Sequence, residues 1–117
     1  MHELSLASAI VDTVERHAGG RRVTAVYLTV GHLRQVAPTS LQFYFEHVAR
    51  GTVCEGARLE QEVVPARLRC GCGHEWGLDA IDFRCSACGA ADARVVSGEE
   101  FLVESIEVEE QEPACTA

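Results

Sequence analysis

Arg69-Cys70-Gly71-Cys72-Gly73-His74, followed by Arg84-Cys85-Ser86-Ala87-Cys88-Gly89, decides how this chain is built. Two close cysteine pairs, Cys70 with Cys72 and Cys85 with Cys88, stand twelve residues apart. That spacing is the signature of a zinc ribbon, in which two tight turns bring four thiolates onto one ion. Gly71, Gly73 and Gly89 let the backbone fold back toward the metal. Residues 66–91 hold four of the six cysteines and four of the ten glycines, but few large apolar side chains. Such a piece has no hydrophobic core of its own and needs a staple. Metal binding would supply the missing folding energy.

One residue separates Cys70 from Cys72, where two are usual, which makes a tighter chelate. His74 lies two positions beyond Cys72 and is the alternative ligand. Both an all-thiolate site and one of three thiolates and an imidazole are open. A redox reading of Cys85-Ser86-Ala87-Cys88 would need that pair to open a helix in a βαβ setting, and the glycine-rich surroundings do not supply it. Cys54 reads as a small packed residue and Cys115 as a free thiol in the tail.

Outward from this segment the chain has the periodicities of a globular fold. Leu4, Ala7, Val11, Val14 and Ala18 form the apolar stripe of an amphipathic helix, and Gly19-Gly20 ends it. Residues 22–30 alternate as a strand, with Val26, Leu28 and Val30 on one face. Pro38 opens a second helix whose stripe is Leu41, Tyr44, Phe45 and Val48. Residues 58–64 form a strand with Leu59 and Val63 inward, closed by Pro65. Residues 100–109 form another, with Leu102, Ile106 and Val108 sharing a face. The order predicts an α+β fold: a three-stranded sheet with two helices on one face, and an inserted zinc-ribbon module. The domains are 1–65 with 98–109, the inserted module 66–97, and a flexible tail 110–117. The linkers at Pro65 and at Val96-Ser97-Gly98 are expected to let the module move as a unit.

Composition narrows the function classes. The chain has 117 residues, a net charge of −8 and no lysine. Its arginines are scattered, which argues against a nucleic-acid backbone as partner. No run of about 20 apolar residues is present to span a membrane, and no signal peptide opens the chain. A cytoplasmic location follows as an expectation, and there cysteines serve as metal ligands more often than as disulfides. No catalytic triad, paired carboxylates or phosphate-binding loop stands out, so the chain is not expected to be an enzyme.

Met1-His2-Glu3 offers a second metal site of another kind. The α-amine of Met1, the amide nitrogen of His2 and the His2 imidazole are adjacent, and such a nitrogen-rich set suits a square-planar ion such as Ni(II) or Cu(II). His17, His32 and His47 read as surface histidines.

Taken together, these residues resemble a known family. Met1-His2-Glu3-Leu4-Ser5-Leu6-Ala7 is similar to the opening of the HypA/HybF hydrogenase nickel-incorporation proteins. So is the middle stretch through Val36-Ala37-Pro38, Leu41-Gln42-Phe43-Tyr44-Phe45-Glu46, Gly51-Thr52, Glu55-Gly56-Ala57 and Leu59. The cysteine module and Ser105-Ile106-Glu107-Val108 follow in order, so the resemblance spans residues 1–109. It implies a metallochaperone that binds Ni(II) at its N-terminus and helps insert it into [NiFe]-hydrogenase, with urease as a further target. The nickel ligands it implies are Met1, His2 and Glu3, the last through its backbone amide. Structural zinc maps onto Cys70, Cys72, Cys85 and Cys88. Implied partners are the hydrogenase large subunit and the GTPase HypB, with the chain a monomer or weak homodimer and no role for nucleic acid or membrane. The sequence departs from the family's pattern in two places. Arg69 stands where the first cysteine is usually found, and Gly89 where some relatives carry a histidine. The alternative is a zinc-ribbon module for nucleic acid or the transcription machinery, which explains the cysteines but not His2.

Overall fold

A computed structural model describes residues 2–77 and 84–110. Helix α1 runs His2–Ala18, strand β1 Val23–Gly31, helix α2 Pro38–Val48 and strand β2 Arg58–Val64. Three short strands follow, β3 Arg67–Arg69, β4 Glu75–Gly77 and β5 Arg94–Ser97, and the chain closes with β6 Phe101–Val108. A single 3-10 turn, His32–Arg34, follows β1. Two three-stranded sheets result, in the orders β2-β1-β6 and β4-β3-β5. The first is the predicted sheet with its two helices. The second lies within the cysteine segment, where its strands are too short for periodicity to reveal.

The described residues form two compact units. One comprises the chain up to Leu28, Val36–Gln61 and the residues from Val103. Here α1 packs on α2. Ala7, Ile10, Val11, Val14 and Ala18 are buried on α1, and Leu41 and Phe45 on α2. Val23, Ala25, Val26 and Leu28 of β1 are buried as well, with Cys54 and Leu59. Each large side chain so buried contributes about 1.5–3 kcal/mol. Gly19 and Gly20, at φ +63° and +78°, turn the chain out of α1. Pro38 sits in the first turn of α2, where its missing N–H costs nothing.

Three details correct the expected faces. Leu4, in the first turn of α1, is 37% exposed, and Ile10 takes the core position instead. Val63 is 48% exposed, because only the first part of β2 is covered. Leu102 is 55% exposed, and its case is instructive. Hydrogen bonds from Gly31 N to Glu100 O, from Thr24 Oγ1 to Glu107 O and from Glu109 N to Arg22 O run β6 antiparallel to β1. Ala25 and Val26 are consecutive buried residues in β1, and Glu104 and Ser105 are consecutive exposed residues in β6. The inward phase thus slips by one residue in both strands at matching height. Strict alternation from Ile106 then places Leu102 on the wrong side, while Phe101 and Val103 take the half-buried positions.

The second unit comprises Thr29–Gln35 and Glu62–Leu102. β3 pairs antiparallel with β4 and with β5, and Leu68, fully buried, faces Trp76 on one side and Val95 on the other. Arg67 and Arg69 point away from it and are exposed. Both expected linkers make hydrogen bonds. Leu33 N donates to Gly98 O (2.8 Å), Ser97 Oγ to Pro65 O (2.9 Å) and Gly98 N to Glu100 Oε1 (2.8 Å).

Candidate metal sites

Each cysteine pair sits in a turn, the first directly after a strand. Cys70 follows β3, and its amide donates to His74 O (2.8 Å) while Gly73 N returns to Cys70 O (2.9 Å). Gly73 has φ +96°, a conformation side chains resist. The second turn repeats the plan. Cys85 N donates to Ala90 O (3.0 Å), Gly89 N to Cys85 O (2.8 Å), and Gly89 has φ +76°. Ala87 N also points at Cys85 Sγ, 3.3 Å away.

These turns bring the four sulfurs of Cys70, Cys72, Cys85 and Cys88 within 4.8 Å of one another. Cys70 Sγ is 3.4 Å from Cys88 Sγ, and Cys72 Sγ is 3.7 Å from Cys85 Sγ. A zinc ion with Zn–S bonds of about 2.3 Å needs tetrahedral edges of about 3.8 Å, so the donor set fits that ion in both number and spacing. The single residue between Cys70 and Cys72 does not keep their sulfurs from converging. Cys70 and Cys85 are buried, and Cys72 and Cys88 are exposed.

The thiols perturb one another as a clustered set must. The Cys72 amide pulls the Cys70 thiol down, but burial and hydrogen bonds with Cys88, Cys72 and Asp92 push it well up. Burial opposes ionisation of Cys85, yet the amides of Cys88 and Ala87 and the neighbouring thiols bring it down to about 7. Without a cation, negative charge settles on one sulfur at the expense of the next, and a dication removes that conflict.

His74 is not among the four residues whose ligand atoms converge. Its ring stacks on Trp76, with centroids 5.4 Å apart, and its Nε2 lies 3.3 Å from Ser86 Oγ. It braces the two turns from outside the sulfurs. Asp92, which sequence reasoning passed over, lies closer: its Oδ1 accepts from Cys70 Sγ at 3.3 Å. No spacing rule points to a carboxylate twenty-two residues away along the chain. Cys54 is fully buried, and that burial raises its thiol pKa. Cys115 lies outside the described residues.

At the other end of the chain, α1 begins at His2. His2 is exposed and Glu3 half-buried, in the first turn. Amides in a helix's first turn have no carbonyl partner inside the helix, so the backbone nitrogens of His2 and Glu3 are free of helical bonds. Met1 lies outside the described residues. His17 Nδ1 is 2.8 Å from Thr13 O, which accounts for it as a helix-end histidine.

Comparison with known proteins joins these two regions. A family model described as "Hydrogenase/urease nickel incorporation, metallochaperone, hypA" matches residues 1–108. The hydrogenase maturation factor HypA of Geobacter metallireducens is 48% identical over 110 residues, covering 93% of this chain and all of that protein. HypA of Chlorobium luteolum is 39% identical over 115 residues, covering 95% of this chain and 98% of that one. Among solved structures, the Ni metallochaperone HypA from Helicobacter pylori superposes with a TM-score of 0.67 at 24% identity, covering 95% of this chain and all of the other, and supports the fold. A second HypA solution structure gives 0.69, also at 24% identity, over 93% and 97% of the two chains. The match runs through the N-terminal half as well as the cysteines, so a nucleic-acid zinc ribbon, which accounts for the cysteines alone, is set aside. From its first residues through its last strand, this chain belongs to the HypA family of hydrogenase and urease nickel-incorporation metallochaperones.

Proposed function

We propose that the chain carries nickel at its N-terminus, on Met1, His2 and Glu3, while zinc held by Cys70, Cys72, Cys85 and Cys88 serves only the fold. The family assignment supplies the role, a nickel metallochaperone in hydrogenase maturation. The convergence of the four sulfurs supports the division of labour. A closed thiolate tetrahedron leaves no open position and releases its ion slowly, which suits scaffolding. The first turn of α1 offers one imidazole and unbonded backbone nitrogens on an exposed chain end, which suits an ion that must be handed on. On this reading His2 supplies the side-chain ligand, Glu3 its amide, and Met1 its α-amine.

The zinc-binding piece is then residues 66–97 and the nickel-binding domain 1–65 with 98–109. His74 holds the two cysteine turns in register through Trp76 and Ser86 instead of entering the zinc shell. The recipient is the hydrogenase large subunit and the companion GTPase is HypB, both in the cytoplasm. Among the described residues no helix is long and apolar enough to cross a membrane. Nothing in this division asks for catalysis, since binding and release move the ion.

The test is calorimetry on untagged protein with its authentic N-terminus. His2→Ala is expected to abolish nickel binding and to leave zinc content and circular dichroism unchanged. Undiminished nickel affinity in that variant would overturn the terminal site.

A further inference from the structure

A zinc ion among four thiolates carries two uncompensated negative charges. Asp92 adds a third, with its carboxylate 3.3 Å from Cys70 Sγ. A cation close by stabilises a centre so charged. One cleft of about 660 Å³ gathers Cys70 and Asp92 with two arginines, Arg69 and Arg94. These arginines are direct cross-strand partners on β3 and β5. Like charges set opposite each other weaken a sheet unless something anionic lies near both.

The two are not equivalent. Arg69 is committed to Glu75, with Nη2 2.9 Å from Oε2, and Arg67 shares the same carboxylate. Arg84, next to Cys85, donates to the Gly89 carbonyl at 3.1 Å. Arg94 is exposed and has no hydrogen-bond or ion-pair partner among the described residues. Among the described residues it is the cation lining this cleft whose charge is not already shared with a carboxylate.

We infer that Arg94 is a positioning residue for the zinc centre: its guanidinium offsets the negative charge of the thiolate cluster and so lowers the reactivity of the sulfurs. This rests on the assignment of zinc to the four cysteines. It makes the retention of zinc a property of the charges in the cleft as well as of the ligands. An exposed arginine on a short strand thereby acquires a role in keeping the structural ion inert while a second metal is carried by the same chain.

The experiment follows alkylation of the zinc-loaded full chain by iodoacetamide, a neutral electrophile, with released zinc captured by a chromophoric chelator. Arg94→Gln is expected to speed alkylation and zinc release about three- to tenfold at low ionic strength, with one zinc per chain at the outset. The gap is expected to shrink as salt screens the charge. Arg94→Lys is expected to stay near the parent rate, and Asp92→Asn to slow the reaction, the opposite sign. A parent-like rate in Arg94→Gln overturns the inference. So does equal acceleration in Arg94→Gln and Arg94→Lys, or acceleration in both Arg94→Gln and Asp92→Asn, since loosened packing would then be the cause. Failure of the underlying zinc assignment shows separately: the parent chain would hold no zinc, or would keep it after Cys85→Ser.

Discussion

Gly98 shows how much a single missing methyl group can matter. Its φ is +109°, and a Cβ built there would lie 2.7 Å from Ala66 Cα. Across from it, a Cβ on Gly31 would overlap the Gly98 carbonyl. Three backbone segments of the second unit thus meet with no room for a side chain. Gly98→Ala is expected to cost about 2–4 kcal/mol, since both the backbone angle and the contact are refused and the nearest obstructing atom belongs to main chain. Gly19→Ala makes the control. It too has positive φ, +63°, but nothing lies within 4 Å of the added carbon, so only the backbone term remains, about 1 kcal/mol. Urea denaturation of the zinc-loaded variants separates the two. Equal losses would mean that the close approach of Gly98 to Ala66 contributes nothing.

Among the elements, the β3–β4 hairpin is small enough for one charge to be visible. Glu75 is bridged by Arg69 and Arg67, and the hydrogen bonds from Arg69 first, then Arg67, hold its carboxyl below the usual range. A carboxylate with a lowered folded-state pKa contributes stability above its unfolded pKa and loses it as the pH falls through the lowered one. Glu75→Gln is therefore expected to melt earlier than the parent at neutral pH. The difference should close between about pH 5 and about pH 2, where the parent's own carboxylate is protonated. A gap independent of pH would mean the bridge is not the cause. This hairpin also marks where sequence reading ran out. The helices and long strands were legible because their buried residues recur at helical and strand periods over many positions. Strands of three residues hold at most two members of any period, so β3 and β4 were invisible, and only the cysteines announced that something ordered was there. Val63 and Leu102 depart from their expected burial for a related reason. Period alone does not report where coverage of a strand stops, or where the phase slips as it does at Ala25-Val26 and Glu104-Ser105. The zinc ligands were legible from spacing. Asp92 and Arg94 were not, because they reach the centre through strand pairing and not through any local motif.

For the molecule as a whole, the two units differ in what holds them. The first buries Ile10, Val11, Val14, Leu28, Leu41 and Phe45 among others, at about 1.5–3 kcal/mol for each large side chain. Among its described residues the second buries few, chiefly Val30, Ala66 and Leu68, and adds the thiols Cys70 and Cys85. The apolar contribution of these side chains is about a few kcal/mol, against about 10–16 kcal/mol available from a structural zinc. Chelation should therefore act unevenly. Removing zinc under reducing conditions is expected to abolish amide protection in β3 and β5 while α1 and α2 keep most of theirs, with the helical circular dichroism largely retained. Hydrogen exchange read by mass spectrometry checks both at once. Simultaneous loss in the helices would show that zinc stabilises the whole chain, and unchanged protection in β3 would show that zinc does not hold the second sheet. The same measurement bears on nickel. On the proposed assignment an ion at the first turn of α1 takes its ligands from residues 1–3 and none from the sulfurs, so adding Ni(II) to the zinc-stripped chain should not restore protection to β3. If it did, the two metals would share the sulfurs, and the separation of scaffold from cargo would fail.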